Sequence, residues 1–347
     1  MCRYRCVYLI VLLCLKPLLA CGAEWSPSHD KLLAAADYSR ERRGYTLLVM
    51  QHGKVIFEDN ENGSKPDEVH KIYSGTKGFW TVAAMCAVED GILKLDELAS
   101  DTLAEWRDDP RKGNITIREL LNFTAGIDPG FHLHSDEMRD RDAFALALPS
   151  VAAPNETFIY GPGQLQIYGE ILRRKLAARG DEKPFHYLQR RVLSPLRLSG
   201  VSYKIDAASN PLLATGFKLS ARQWSRFGEM LLHEGMFNDR VIVPPTLLRQ
   251  CFRGTAANPA FGMGFWNNSQ APGGREINIE DELEKDWWRQ NWSNVCICRD
   301  APRDMVVALG SGYQRLYVIP SLDLVIARLG QDAKFSDGDF LRLILSR

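Results

Sequence analysis

Tyr73-Ser-Gly-Thr-Lys-Gly-Phe-Trp-Thr-Val-Ala-Ala-Met-Cys-Ala-Val-Glu-Asp-Gly91 is the stretch from which the rest of this chain is read. From Thr76 to Asp90 apolar residues recur at Phe79, Val82, Ala83 and Cys86, the i, i+3, i+4, i+7 stripe of a helix, and Gly91 supplies the stop. Ser74 and Lys77 stand three apart where that helix begins, so they share one face of a turn. A serine hydroxyl is a weak nucleophile until a neighbour accepts its proton. An amine desolvated in a cleft is neutral enough near pH 7 to do so. The helix start adds N–H dipoles beside the nucleophile, which favour a developing oxyanion. Ser28-His-Asp-Lys31 has the same spacing, but it follows the leader with no strand before it.

Working outward, Tyr45-Thr-Leu-Leu-Val-Met-Gln51 and Lys54-Val-Ile-Phe-Glu58 flank His52-Gly53, a two-residue hairpin connection. A second hairpin closes the chain: Arg315-Leu-Tyr-Val-Ile319, the turn Pro320-Ser-Leu-Asp323, then Leu324-Val-Ile-Ala-Arg-Leu329. Between them the patterns are helical over 117–122, 165–179, 186–192, 221–233 and 245–251, with a last helix over 340–346. Strands at both ends and helices between predict an α+β fold: one antiparallel sheet built from both chain ends, flanking helices and an inserted helical lobe. Residues 24–347 then form a single domain. Residues 267–305, rich in Asn, Asp and Glu with Trp287, Trp288 and Trp292 close together, read either as a surface insertion whose tryptophans cover the core or as a lid over a pocket.

Composition narrows the function. With 45% apolar and 25% charged residues, the chain is neither disordered nor a multi-span membrane protein. Its 43 basic and 43 acidic residues leave no electrostatic footprint for nucleic acid. Arg3 and Arg5 precede an apolar run over 7–15, too short to span a bilayer but suited to a signal peptide over 1–23. Leu18-Leu-Ala-Cys21 matches a lipoprotein cleavage box that would attach the protein to a membrane through Cys21; cleavage after Ala23 is the alternative. Both predict a periplasmic, cell-envelope or secreted protein. Of eight cysteines, Cys86, Cys251, Cys296 and Cys298 lie beyond the leader. Cys86 reads as a small core hydrophobe, and a bridge from Cys251 to Cys296 or Cys298 stays open. No zinc spacing occurs, and His132-Leu-His134 reads as a polar loop.

Seven blocks, in order and spacing, resemble the serine β-lactamase and penicillin-binding-protein family, most nearly its class C-like esterase and D-aminopeptidase branch. They are Leu48–Val55, Tyr73–Gly78, Glu89–Asp96, Ile115–Ile127, Ala214–Gly228, Phe261–Trp266 and Gln314–Pro320. The resemblance implies a β-lactamase/transpeptidase-like fold, Ser74 as the acylated nucleophile and Lys77 as its amine partner. It implies no cofactor and no metal. The family's second motif, Tyr-x-Asn, aligns with Tyr160-Gly-Pro162, which makes Tyr160 the tyrosinate-like base and leaves Pro162 where the Asn would be. The third motif, Lys-Thr-Gly or His-x-Gly, aligns with Ala308-Leu-Gly310, or one step later with Gly310-Ser-Gly312. A glycine there suits a strand that substrate must approach closely. The N–H of Ser311 would join that of Ser74 in an oxyanion hole.

Neither register of the third motif offers the cation that helps the family bind a β-lactam carboxylate. Losing one charge-assisted contact costs roughly 1.5–3 kcal/mol, whereas acylation chemistry is untouched. The expected substrate is therefore a small-molecule or peptide-like acyl compound, an uncharged ester or an amide without that carboxylate. The expected protein is an exported, esterase-like serine hydrolase. A weak β-lactamase or D-amino-acid peptidase is the alternative enzyme, and a catalytically idle peptide- or lipid-binding relative the alternative of another class.

Overall fold

The computed structural model describes residues 25–331 and 333–346. The leader, with Cys21 and Ala23, lies outside the described residues.

Both hairpins form and share one sheet. β1 (Gly44–Gln51) and β2 (Lys54–Asn60) turn at His52 and Gly53, whose φ angles of +50° and +69° match the strand twist. β12 (Gln314–Ile319) and β13 (Leu324–Gly330) follow β11 (Val306–Gly310), and the antiparallel order is β2-β1-β13-β12-β11-β8, with β8 at Trp266–Asn267. β12 and β13 are buried along their whole length, which suits their near-continuous apolar runs. β2 exposes Lys54, Val55 and Ile56, as an edge strand does. Against one face pack α1 (His29–Glu41) and α10 (Asp337–Leu345); against the other packs α7 (Ala221–Leu232).

The helical lobe holds α2 (Thr76–Glu89), α3 (Ile117–Leu121), α4 (Arg141–Ala147), α5 (Gly163–Ala177), α6 (Pro184–Leu188) and α8 (Pro245–Cys251). α3 begins at a capping box, Thr116 with Glu119, and α7 at another, Ser220 with Gln223. A small sheet joins lobe and main sheet: β3 (His70–Lys71) and β4 (Ser202–Tyr203) flank β5 (Phe217–Leu219). The hairpin of β6 (Met236–Phe237) and β7 (Arg240–Val241) follows α7. The 267–305 segment carries β9 (Arg275–Glu276), α9 (Ile279–Leu283) and β10 (Val295–Cys296).

Two differences from expectation stand out. α1 and α4 form where the sequence reading places no helix; α1 docks through Leu32, Ala35, Ala36 and Ser39, a narrow stripe in which only Leu32 is large. The four described cysteines are separate buried thiols, so Cys251 is not bridged. Among the described residues no helix is long and apolar enough to cross a membrane.

Candidate active site

Ser74 sits in a 3₁₀ turn, Tyr73–Gly75, that runs directly into α2. Tyr73 takes φ +43°, a conformation that costs a non-glycine residue on the order of 1–3 kcal/mol and that persists where surrounding structure holds it. Here the hold is visible. The Ile72 N–H donates to the Phe217 carbonyl at 3.1 Å, and the Phe217 N–H donates to Thr76 Oγ1 at 3.2 Å. β5 thereby clamps the turn from one side.

Lys77 lies one turn on, with Nζ 2.7 Å from Ser74 Oγ and 3.2 Å from the Ala214 carbonyl oxygen, to which it donates. The side chain is buried, and desolvation pulls its amine down from 10.5 to about 7. Its surroundings explain why: Nζ lies 4.7 Å from the centroid of the Tyr160 ring, which packs among Phe123, Phe261 and Trp266. Burial in that aromatic box pushes the Tyr160 phenol above its ordinary value, while the neighbouring Ser74 hydroxyl holds the rise back in part. The resting phenol is therefore protonated, and the amine is the group poised to exchange a proton near neutrality.

The three predicted groups thus converge, and Ser74 and Tyr160 line a cavity of about 820 Å³. Ser28 and Lys31, the competing pair, do not face each other: Lys31 donates to the Ser346 carbonyl. Leu309 and Ser311 line the cavity, whereas Ala308 is buried and does not. A Cβ on Gly310 would stand 2.0 Å from the Ile72 carbonyl oxygen. That packing of β11 against the nucleophile turn favours the register Ala308-Leu-Gly310, with Gly310 as the motif glycine. Pro162 is buried at the start of α5, where a fixed φ is welcome and a missing N–H costs nothing.

The 267–305 insertion divides between its two readings. Trp292 is buried against Phe158 and Trp266, covering the core, while Trp288 is 63% exposed. Glu280, Leu283 and Glu284 of the α9 region form a wall of the cavity. Glu280 also accepts from the Gly312 and Tyr313 N–H groups at 3.2 and 2.9 Å, and pairs with the fully buried Arg315 at 2.8 Å. Arg315 in turn holds Asp337 at 2.7 Å. A carboxylate of the insertion thus fixes the turn that follows Ser311, a link invisible in sequence because its partners lie more than thirty residues apart.

Sequence reading also missed His134. The turn bearing it is anchored by buried Arg141, which donates to the Leu133 and Ser135 carbonyls at 3.0 and 2.9 Å. His134 Nδ1 lies 3.2 Å from Thr215 Oγ1, and the ring lines a second cavity of about 620 Å³ that shares Lys71, Tyr73 and Ser311 with the first. Burial, then the nearby Lys77, Lys204 and Arg141 charges, pull its imidazole down to about 4, so it is neutral at pH 7. The spacing of His132 and His134 carries no signal for this placement.

The Beta-lactamase family model matches residues 29–343 of the chain. Acyltransferase mokF of Monascus pilosus is 25% identical over 204 residues, which are 50% of this chain and 48% of that protein. Monacolin J acid methylbutanoyltransferase of Aspergillus terreus is 26% identical over 182 residues, 44% of this chain and 43% of the relative. The matched stretches thus span about half the length of these curated relatives. Among solved structures, a putative β-lactamase from Bacteroides dorei superposes with TM-score 0.70 at 16% identity, covering 93% of this chain and 100% of that one. EstCE1, a hydrolase with promiscuous acyltransferase activity, superposes with TM-score 0.64 at 18% identity, covering 91% and 96%. These likenesses establish the β-lactamase/transpeptidase-like fold that the resemblance of the seven sequence blocks implies.

Proposed function

The chain belongs to the β-lactamase family, and from that premise we propose that it is a serine hydrolase that cleaves an ester or amide through an acyl-enzyme on Ser74. One observation carries this reading: a buried amine, drawn down to about 7, lies 2.7 Å from a serine hydroxyl at a helix start. The neutral Lys77 amine accepts the Ser74 proton as Oγ bonds to the acyl carbon. The N–H groups of Ser74 and Ser311 stabilise the tetrahedral oxyanion. Collapse expels the alcohol or amine half, which receives the proton from Lys77 through the Tyr160 hydroxyl. Water, or an alcohol acceptor, then attacks the acyl-enzyme and returns a proton by the same route, releasing the acid or a new ester.

Room for an acceptor is supported by the second cavity, which adjoins the first at Tyr73 and Ser311. Acyl transfer to an alcohol is the neighbouring reading, favoured by the names of the fungal relatives. Export belongs to the proposal and rests on the leader, with lipidation at Cys21 or cleavage after Ala23 distinguished by the mass of the mature N-terminus.

A fluorophosphonate that labels the wild type and not Ser74→Ala supports the nucleophile; absence of labelling marks an idle binding relative. Short p-nitrophenyl esters set beside a chromogenic cephalosporin then rank the substrates. Ester cleavage well above cephalosporin cleavage is expected, and the reverse order would move the protein to the β-lactamase alternative.

A further inference from the structure

Lys71 and Lys218 face each other directly across β3 and β5. Directly opposed residues of an antiparallel pair point to the same face, with Cβ atoms about 4.5–5.5 Å apart, and like charges placed so are destabilising. Both side chains are exposed, and neither makes an ion pair or side-chain hydrogen bond among the described residues. Both line the second cavity, together with Lys204 and Asp136. Lys204 is committed: it donates to the His134 carbonyl and to Asp136. The opposed pair is thus positive charge set at the rim of a cavity, with no ion pair of its own and only a long-range attraction between Lys71 and exposed Asp136.

Its distance from the chemistry is short. Lys71 precedes Ser74 by three residues, so even fully extended chain keeps their Cα atoms within roughly 11 Å. Lys71 also lines the first cavity beside Ser74 and Tyr160. The third-motif cation is missing on the β11 side, where Ala308 stands. Beside the nucleophile turn, two ammonium groups without ion-pair partners line the cavity that also reaches Ser311.

We propose that Lys71 and Lys218 form a subsite for an anionic group, a carboxylate in the first instance, on the alcohol or amine half of the substrate, about one aromatic ring's length from the scissile bond. The proposal rests on Ser74 being the nucleophile only for its bearing on turnover; the binding claim stands alone. It also amends the expectation of an uncharged substrate: the family's carboxylate contact is lost at Ala308, and a different position is charged instead.

The test separates binding from chemistry. The Ser74→Ala protein is titrated calorimetrically with 4-(butanoyloxy)benzoate and with its neutral isostere, 4-(butanoyloxy)benzamide. The benzoate should bind about tenfold more tightly, the scale of one charge-assisted contact. That preference should fall towards one in Ser74→Ala carrying Lys71→Met and Lys218→Met. It should also shrink as ionic strength rises from about 0.01 M to about 0.15 M, which shortens the screening length from roughly 30 to about 8 Å. Neither lysine substitution removes a packed group, so circular dichroism should show the variants folded. In the wild type, kcat/KM for the two esters should show the same preference. Equal affinities for benzoate and benzamide, or a preference that survives the double substitution, would overturn the subsite. If binding discriminates but the wild type cleaves neither ester, the subsite stands and the hydrolase reading falls.

Discussion

Gly310→Ala tests whether the close seating of β11 on the nucleophile turn sets the catalytic geometry. An ideal Cβ there would lie 2.0 Å from the Ile72 carbonyl oxygen and 2.9 Å from its carbonyl carbon, both backbone atoms with no rotamer to yield. Contacts under 3.0 Å do not occur for real Cβ atoms, so strand and turn must part by about 1 Å. The Ile72 carbonyl is not free to swing away, because it accepts the Gly75 N–H at 2.9 Å and so helps hold Ser74 in place. Overpacking of this kind costs roughly 1–3 kcal/mol of stability. The same shift draws the Ser311 N–H away from Ser74, and a misplacement of about 1 Å is worth on the order of 10²-fold in rate. Urea unfolding gives the first quantity and kcat/KM on a p-nitrophenyl ester the second. Gly273→Ala is the control: nothing lies within 4 Å of its added Cβ, and a surface change of that sort stays within about 0.5 kcal/mol. A folded Gly310→Ala protein with kcat/KM within about twofold of wild type would refute the argument that β11 positions the oxyanion donors.

Lys77 should make activity and stability both rise with pH, over successive windows. Its neutral form is the working one, so kcat/KM should climb with pH through about 7 and level off. The unfolded chain holds this proton up to 10.5 while the fold releases it near 7, so wild-type stability should rise across that window. Lys77→Met, inactive, should gain most over wild type below pH 7 and lose the advantage towards pH 10; a pH-independent difference in Tm would contradict the buried amine. Tyr160→Phe keeps the aromatic packing and removes the proton conduit, so kcat should fall about 10²–10⁴-fold with labelling of Ser74 retained. Glu280→Ala deprives Arg315 and two backbone N–H groups of an acceptor. It should cost on the order of 1–3 kcal/mol in unfolding and lower kcat more than it raises KM; an unchanged kcat would mean that the turn needs no anchor.

What could be read from sequence was whatever local pattern dictates. The terminal hairpins, α2 and the Ser74–Lys77 pair depend on neighbours within one turn or one strand, and all stand as expected. α1 escaped because its stripe is mostly alanine and serine, whose small apolar signal is outweighed by the charged residues between. His134 escaped for another reason. Its place in the cleft is set by Arg141, a short way along the chain, and by Thr215, 81 residues on, and nothing in the local spacing of a short 3₁₀ turn encodes the second partner. The insertion was legible as an oddity of composition, yet whether it covers or encloses was settled only by where α9 packs. Likewise, the loss of the third-motif cation was plain at Ala308, whereas the opposed lysines become neighbours only through the pairing of β3 with β5.

The double duty of Glu280 bears on how such a protein can change. One carboxylate lines the cavity wall and tethers the turn after Ser311. Exchanging the insertion for a longer or shorter one would therefore alter the shape of the cavity and the hold on the turn after Ser311 in a single stroke. A lineage, or an engineer, would find those two traits inseparable along that route. The β3–β5 edge divides its duties, because its backbone clamps the nucleophile turn at Phe217 while the side chains of Lys71 and Lys218 stand exposed beside it and hold no part of that turn. Under the proposed subsite, the charge offered to a ligand is accordingly the trait that can drift freely, one surface residue at a time, without disturbing the backbone bonds that hold Ser74.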